Sequence, residues 1–196
     1  MTNSYAVIIL AAGSSGRLGR PKQLLPFKNK PLLQYLIDEA KNTLADTVIV
    51  VLGANAEIIK NELQTDNIHI AINENWKEGM SSSIRCGINE LQTTNPAVDA
   101  ALLMVCDQPF VTTALLNELI VSHRNTKKHI VTCSYDETTG PPALFDKILF
   151  PELLQLEGDA GARKIVQQNT DEVVSVPFSK GVIDIDTATD YQNLIR

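Results

Sequence analysis

Five short runs along the chain are apolar at nearly every position: AVIILA (Ala6 to Ala11), TVIVVL (Thr47 to Leu52), IHIAI (Ile68 to Ile72), AALLMV (Ala100 to Val105) and HIVTCSY (His129 to Tyr135). Strands with no polar face are buried on both sides, as in a parallel sheet covered by helices. Between them the apolar spacing changes. Leu33, Leu36, Ile37, Ala40 and Leu44 recur three or four residues apart, and Leu115, Leu116, Leu119 and Ile120 repeat the pattern, so each stretch is expected to lay one helical face on the sheet. Strand alternating with helix predicts a three-layer, Rossmann-like α/β fold with a mostly parallel central sheet and right-handed crossovers. After Tyr135 the pattern loosens into DETTGPPALF, which reads as turn-rich, and then into helix-like and short strand-like pieces. No repeat or linker interrupts the 196 residues, so one domain is expected.

A chain of that length buries roughly 70% of its unfolded surface without staples. Its 44% apolar and 20% charged residues are those of a globular protein, and no run approaches the ~18 apolar residues of a membrane span. MTNSYAVIILAAGSS has no basic stretch before its apolar run, so no secretory signal is expected and the default location is cytoplasmic. Cys86, Cys106 and Cys133 form no CxxC pair, and His69, His123 and His129 are scattered. The cysteines therefore read as small buried side chains, and neither a zinc site nor a histidine relay is expected.

The net charge of −6 argues against nucleic acid as a partner. Yet five of the 17 cations, Arg17, Arg20, Lys22, Lys28 and Lys30, fall within fourteen consecutive residues. Three of them, Arg17, Arg20 and Lys22, follow the first strand in LAAGSSGRLGRPK, where Gly13, Gly16 and Gly19 recur every third position. In α/β sheets that turn is the usual phosphate contact, and glycines let backbone N–H groups approach an anion. The loop is neither a Walker A motif, lacking Lys directly after the last glycine, nor a GxGxxG dinucleotide fingerprint. A small anionic ligand remains, against a plain βα turn with incidental cations.

The string LAAGSSGRLGRPKQLLPF resembles the opening of the nucleotidyltransferases related to the molybdenum cofactor cytidylyl- and guanylyltransferases. The resemblance continues in the same order through NENWKEGMSSSIRCGI, LLMVCDQPFV, GPPALFD, LEGDAGARKIV and DIDTATDYQ, almost to the end of the chain. It implies attack by a phosphate monoester on the α-phosphate of a nucleoside triphosphate, with pyrophosphate released. A phosphate monoester has a second pKa near 6 and is mostly dianionic at neutral pH, so no general base is required. Positioning and positive charge are left to do the catalysis.

On this resemblance Arg17 and Lys22 are the catalytic cations along the triphosphate, cradled by Leu10, Ala11, Ala12, Gly13, Ser14, Ser15 and Gly16. Gly79, Met80, Ser81, Ser82 and Ser83 would contact base and ribose, although serines opening a helix also serve as ordinary N-caps. Asp107, one residue past AALLMV, is placed to hold Mg²⁺ or to be a plain turn aspartate. Asp186 in DIDT is the second candidate ligand, with Asp184 in reserve because residues two apart in an extended segment share a face. Gly140 and Pro142 would shape a turn on the acceptor side. Asp159 and Arg163 would face the incoming anion there, unless Arg163 simply pairs with a surface carboxylate. Residues 1–110 are thus read as the nucleotide and metal part, and 111–196 mainly as the acceptor part.

The expected donor is CTP, because guanylyl members usually read LAGG where this chain has Ala12 in LAAG. The expected acceptor is a molybdopterin-type cofactor, and a molybdoenzyme is its possible recipient. Another triphosphate, another phosphorylated acceptor such as a sugar phosphate, and a non-catalytic carrier of the cofactor are the alternatives.

Overall fold

The computed structural model describes residues 3–195. Its strands are β1 (Tyr5–Ala11), β2 (Pro26–Phe27), β3 (Lys30–Pro31), β4 (Thr47–Leu52), β5 (His69–Ile72), β6 (Ala100–Val105), β7 (Ile130–Tyr135), β8 (Thr138–Asp146) and β9 (Val173–Pro177). The helices are α1 (Leu32–Lys41), α2 (Ala56–Asn61), α3 (Met80–Thr94), α4 (Thr113–Thr126), α5 (Phe150–Leu154), α6 (Arg163–Gln168) and α7 (Ala188–Leu194). Seven strands form one sheet in the order β5-β4-β1-β6-β8-β7-β9, and β2 and β3 make a small separate hairpin.

Period-two alternation sorts the strand residues between two cores. Tyr5, Val7, Ile9 and Ala11 of β1 pack with Leu33, Leu36 and Ile37 of α1 and Leu116, Leu119 and Ile120 of α4. Ala6 and Ile8 face the other way, toward Ile84, Ile88 and Leu91 of α3, Leu153 of α5 and Ile165 of α6. The result is the expected three layers. Gly87 lets α3 lie close to the sheet, since a Cβ there would stand 2.6 Å from Ile8 Cγ2.

The pairings of β1 with β4 and β6, of β4 with β5 and of β7 with β9 are parallel. Strand β8 runs against both β6 and β7. The stretch read as turn-rich is thus mainly a nine-residue strand. Ala143, Leu144 and Phe145 are buried within it, and the ladder skips Pro141 and Pro142, whose shared peptide bond is cis. Proline cannot donate to a ladder, so the strand accommodates the pair at an irregularity. Gly140 and Pro142 accordingly lie in β8, and the true turn is at Asp136 and Glu137.

From β1 the chain goes outward through β4 to β5 and then returns to β6 on the other side of β1. The order of strands reverses at β1 and β6, and in open α/β sheets ligands bind past the carboxyl ends at such a point. Among the described residues no helix is long and apolar enough to cross a membrane.

Candidate active site

The glycine loop leaves β1 directly at this reversal. Ser15 adopts φ 55° and precedes a single 3-10 turn, Gly16–Leu18, closed by Gly19 at φ 69°. Gln23, buried at 1% exposure, holds the loop from beneath. Its amide donates to the carbonyls of Ala11 (2.7 Å) and Gly13 (3.1 Å), while the Lys22 N–H donates to Ser15 Oγ at 2.9 Å. The loop is therefore a braced turn with an open outer side: a Cβ on Gly13 would meet nothing within 4 Å. That space suits an anion approaching the backbone.

Lys22 points from this loop to the ends of two distant segments. Its ammonium lies 3.2 Å from Asp107 Oδ2 and 2.8 Å from Asp186 Oδ1, and Arg17 reaches Asp186 Oδ2 at 2.9 Å. Burial opposes the charge on Lys22, but the two carboxylates outweigh it and raise its pKa. The Lys22 hydrogen bond holds Asp186 below its ordinary range against the effect of partial burial, with the Lys22 and Arg17 charges adding to the drop. Asp184 is pushed up by burial and by the negative charges of Asp107 and Asp186. Ile185, 1% exposed, points inward between the two aspartates. The DIDT segment is thus extended without joining the sheet, and Asp184 stays close to the pair.

The donor set fits a hard divalent cation. Two carboxylates from separate segments already converge on one positive charge, the Lys22 ammonium standing where a cation would. Among the described residues no group of three or more His, Cys, Asp or Glu is placed to hold a metal. Two carboxylates with phosphate oxygens and waters completing the shell are typical of Mg²⁺ in nucleotide sites.

The opening of α3 differs from simple serine capping. Its N-cap is Gly79 at φ 96°, without a side-chain cap. Ser81, Ser82 and Ser83 are 0, 3 and 6% exposed. Asn73, itself 4% exposed, donates to the hydroxyls of Ser82 (2.8 Å) and Ser83 (3.0 Å), and Ser82 donates to the Gly79 carbonyl. Those two hydroxyls brace the helix start, and Ser81 Oγ is buried without a hydrogen-bond partner. Met80, 44% exposed, is the side chain of this group that faces outward.

Beyond α3 lies a cavity of about 650 Å³ over one face of the sheet. Leu10, Leu103 and Phe145 form part of its floor, Met80 and Ile84 one side, and Gly140, Pro141 and Arg163 the rim. Among the described residues, Asp136, Glu137 and Arg163 are its only charged lining residues. Arg163 is exposed at the start of α6 and, among the described residues, makes no ion pair. A carboxylate oxygen of Asp159 sits against Gly79, so the loop bearing Asp159 and the α3 start touch. The Ser81 N–H donates to the Gly158 carbonyl at 3.1 Å, and Arg85 ties Glu78 (2.8 Å) to the Leu156 carbonyl.

Ala12 is 5% exposed. A Cβ on Gly53 would stand 2.9 Å from its methyl, so the methyl faces packed protein. The structure gives that methyl no direct contact with an open base pocket.

Residues 7–173 match the family model described as the MobA-like NTP transferase domain. The chain belongs to that family. Its fold and enzyme class are therefore those of a MobA-like nucleotidyltransferase. A curated relative, nicotine blue oxidoreductase of Paenarthrobacter nicotinovorans, is 33% identical over 82% of this chain and 80% of its own length. The crystal structure of Rv0371c from Mycobacterium tuberculosis H37Rv covers 100% of this chain and 99% of that chain at TM-score 0.87 and 31% identity. A second structure of Rv0371c from that organism, in complex with manganese, covers 99% of this chain and 98% of its own at TM-score 0.82 and 29% identity.

Sequence reasoning missed Gln23, Asn73, Arg85 and Gln108. A glutamine inside PKQLLPF, where apolar residues follow, was the one available hint for Gln23.

Proposed function

We propose that the chain transfers CMP from CTP to the terminal phosphate of a molybdopterin-type molybdenum cofactor, in the cytoplasm and with Mg²⁺. The observation carrying this reading is the cluster of Arg17, Lys22, Asp107 and Asp186 at the strand reversal, beside the open glycine loop. An acceptor phosphate oxygen attacks the α-phosphorus, the bond from that phosphorus to the α,β-bridging oxygen breaks, and pyrophosphate leaves. Bringing two polyanions together costs about 4 kcal/mol per pair of unit charges at 4 Å and an effective dielectric of 20. Arg17 and Lys22 offset that repulsion along the triphosphate, with the backbone of Leu10 to Gly16 as cradle. Asp107 and Asp186 would hold Mg²⁺, which neutralises phosphate oxygens when bound. Gly79, Met80 and the helix start at Ser81, Ser82 and Ser83 border the base and ribose. Gly140, Pro142, Asp159 and Arg163 belong to the acceptor side, so residues 1–110 mainly serve donor and metal and 111–196 mainly the acceptor, with Asp186 crossing over. A molybdoenzyme would receive the product.

CTP is chosen on the LAAG string alone. The deciding assay supplies Mg²⁺, each of the four nucleoside triphosphates and molybdopterin carrying molybdenum, then follows pyrophosphate and the nucleotide joined to the pterin. Product with CTP only is the expected result. Product with GTP only reverses the base, turnover with a sugar phosphate replaces the acceptor, and tight cofactor binding without pyrophosphate makes the chain a carrier. In the same assay folded Lys22→Ala protein should lose most turnover, and near-normal turnover removes Lys22 from the mechanism.

A second reading is favoured by one observation, the 33% identity to a protein named an oxidoreductase. It would make the chain an oxidoreductase. Reduction of nicotine blue by the purified chain with a reduced nicotinamide as electron donor, and no pyrophosphate formed from any triphosphate, would support it.

A further inference from the structure

Two side chains among the described residues bury a polar oxygen that has no hydrogen-bond partner, Ser81 and Gln108. Gln108 directly follows Asp107 and is 4% exposed. Its Nε2 donates to the Gly181 carbonyl at 3.0 Å, across 73 residues of chain. In the reverse direction, the Ile185 N–H donates to the Asp107 carbonyl at 3.0 Å. Two hydrogen bonds of opposite sense thus join the segment bearing Asp107 to the segment bearing Asp184 and Asp186.

The Gly181 end of this brace is fixed from behind. A Cβ on Gly181 would collide with the Tyr135 ring and stand 2.8 Å from Phe178 Cδ1. Those rings meet edge to face with centroids 6.5 Å apart. The backbone at Gly181 is therefore wedged against a rigid aromatic pair, and its carbonyl is presented to Gln108. An amide whose oxygen goes unpaired in the interior carries a desolvation cost that an apolar side chain of equal length avoids. Filling space does not require a glutamine here; holding the Gly181 carbonyl does.

We propose that Gln108 is a positioning residue that sets the separation of the Asp107 and Asp186 carboxylates, and so their fit to a divalent cation. The carboxylate oxygens now stand 3.2 and 2.8 Å from the Lys22 ammonium. Magnesium binds oxygen at roughly 2.0–2.1 Å and tolerates little distortion, so its fit depends on where the two backbones hold the carboxylates. The two cross-segment bonds fix those backbones relative to one another and leave adjustment to side-chain torsions. Loss of such an outer partner typically weakens a metal site by about 10- to 100-fold.

The inference rests on the metal assignment of Asp107 and Asp186, and the experiment separates the two. Binding of CTP, or of the triphosphate that the four-way assay selects, is measured by calorimetry with excess Mn²⁺ and again with EDTA. The ratio of the two dissociation constants is the metal enhancement. Gln108→Met keeps length and removes the hydrogen bond. It should bind metal-free nucleotide within about two-fold of the unaltered protein and lose about ten-fold or more of the enhancement. Loss of packing alone would weaken both constants together. If Asp107→Asn abolishes the enhancement and Gln108→Met retains it, the positioning role is overturned. If Asp107→Asn also retains it, the metal assignment falls and takes this inference with it. Should Gln108→Met fail to fold, Gln108→Asn, too short to reach Gly181, is read the same way.

Discussion

Replacing Lys22 with methionine keeps the length of the side chain and removes its charge. The ammonium then no longer stands 2.8 Å from Asp186 and 3.2 Å from Asp107, and the aspartates face each other with only Arg17 nearby. At an effective dielectric of 20 these pairs carry about 6 and 5 kcal/mol of direct attraction, most of it cancelled by the hydration Lys22 gives up at 14% side-chain exposure. Removing one partner of a fully buried pair costs about 3–5 kcal/mol. The carboxylates are 30% and 35% exposed, and solvent screening reduces the expected cost to about 2 kcal/mol. For a domain of this size about 2 kcal/mol lowers the melting temperature by roughly 4–8 °C.

Thermal unfolding by circular dichroism checks this, and two companion measurements identify the cause. Asp186 has a depressed pKa in the folded state, so its contribution is complete above the ordinary aspartate value of about 3.9 and is lost as pH falls through the folded value. The gap between the two proteins should therefore be wide at neutral pH and narrow below about pH 4. Magnesium should raise the melting temperature of Lys22→Met more than that of the unaltered protein, because a divalent cation restores the missing charge. A variant as stable as its parent, or a gap that widens on acidification, would refute the reasoning.

Other expectations concern separate parts of the structure. Asp107→Asn should lower turnover and flatten its dependence on Mg²⁺ concentration, which a metal titration of activity reads directly. Glu39 caps α4 from outside, accepting from the Thr113 N–H at 2.6 Å and its hydroxyl at 2.8 Å. Partial burial pushes its pKa up, but these bonds, Tyr35 and the Lys28 charge outweigh it and leave it below the ordinary range. Glu39→Gln should thus cost about 1 kcal/mol near neutral pH and progressively less as pH falls below the ordinary value, as urea titrations at several pH values would reveal. Gly87→Ala should destabilise by about 1–3 kcal/mol through overpacking against Ile8, measured as a lower urea midpoint with unchanged slope.

Periodicity located all five named strands within a residue or two; β1, β4, β6 and most of β7 are buried on both faces as expected, whereas β5 is an edge strand with His69 and Ile72 exposed, and α1 and α4 were placed because each buries one face. It could not reveal β8. That strand begins with Thr138 and Thr139, carries two prolines, and becomes apolar only at Ala143 to Phe145. Its place is set by pairing on both sides, which overrides local preference. The start of α3 was legible as a helix, but not as a buried serine cluster held by Asn73. The site was legible as separate residues through family resemblance, whereas their assembly was not. Lys22 and Asp186 are 164 positions apart, and no local spacing encodes their meeting. Gln108 was hidden for a related reason: its partner is a main-chain carbonyl, which leaves no trace in residue type.

The reversed direction of β8 has an evolutionary corollary. Because it enters the sheet from the ligand end, the tip between Tyr135 and Thr138 overhangs the cavity while remaining topologically independent of the glycine loop. Insertions or deletions at that tip can reshape the cavity entrance without shifting β1 or β6. A lineage built on this plan is free to vary one hairpin while the strands that carry the glycine loop and Asp107 stay in place.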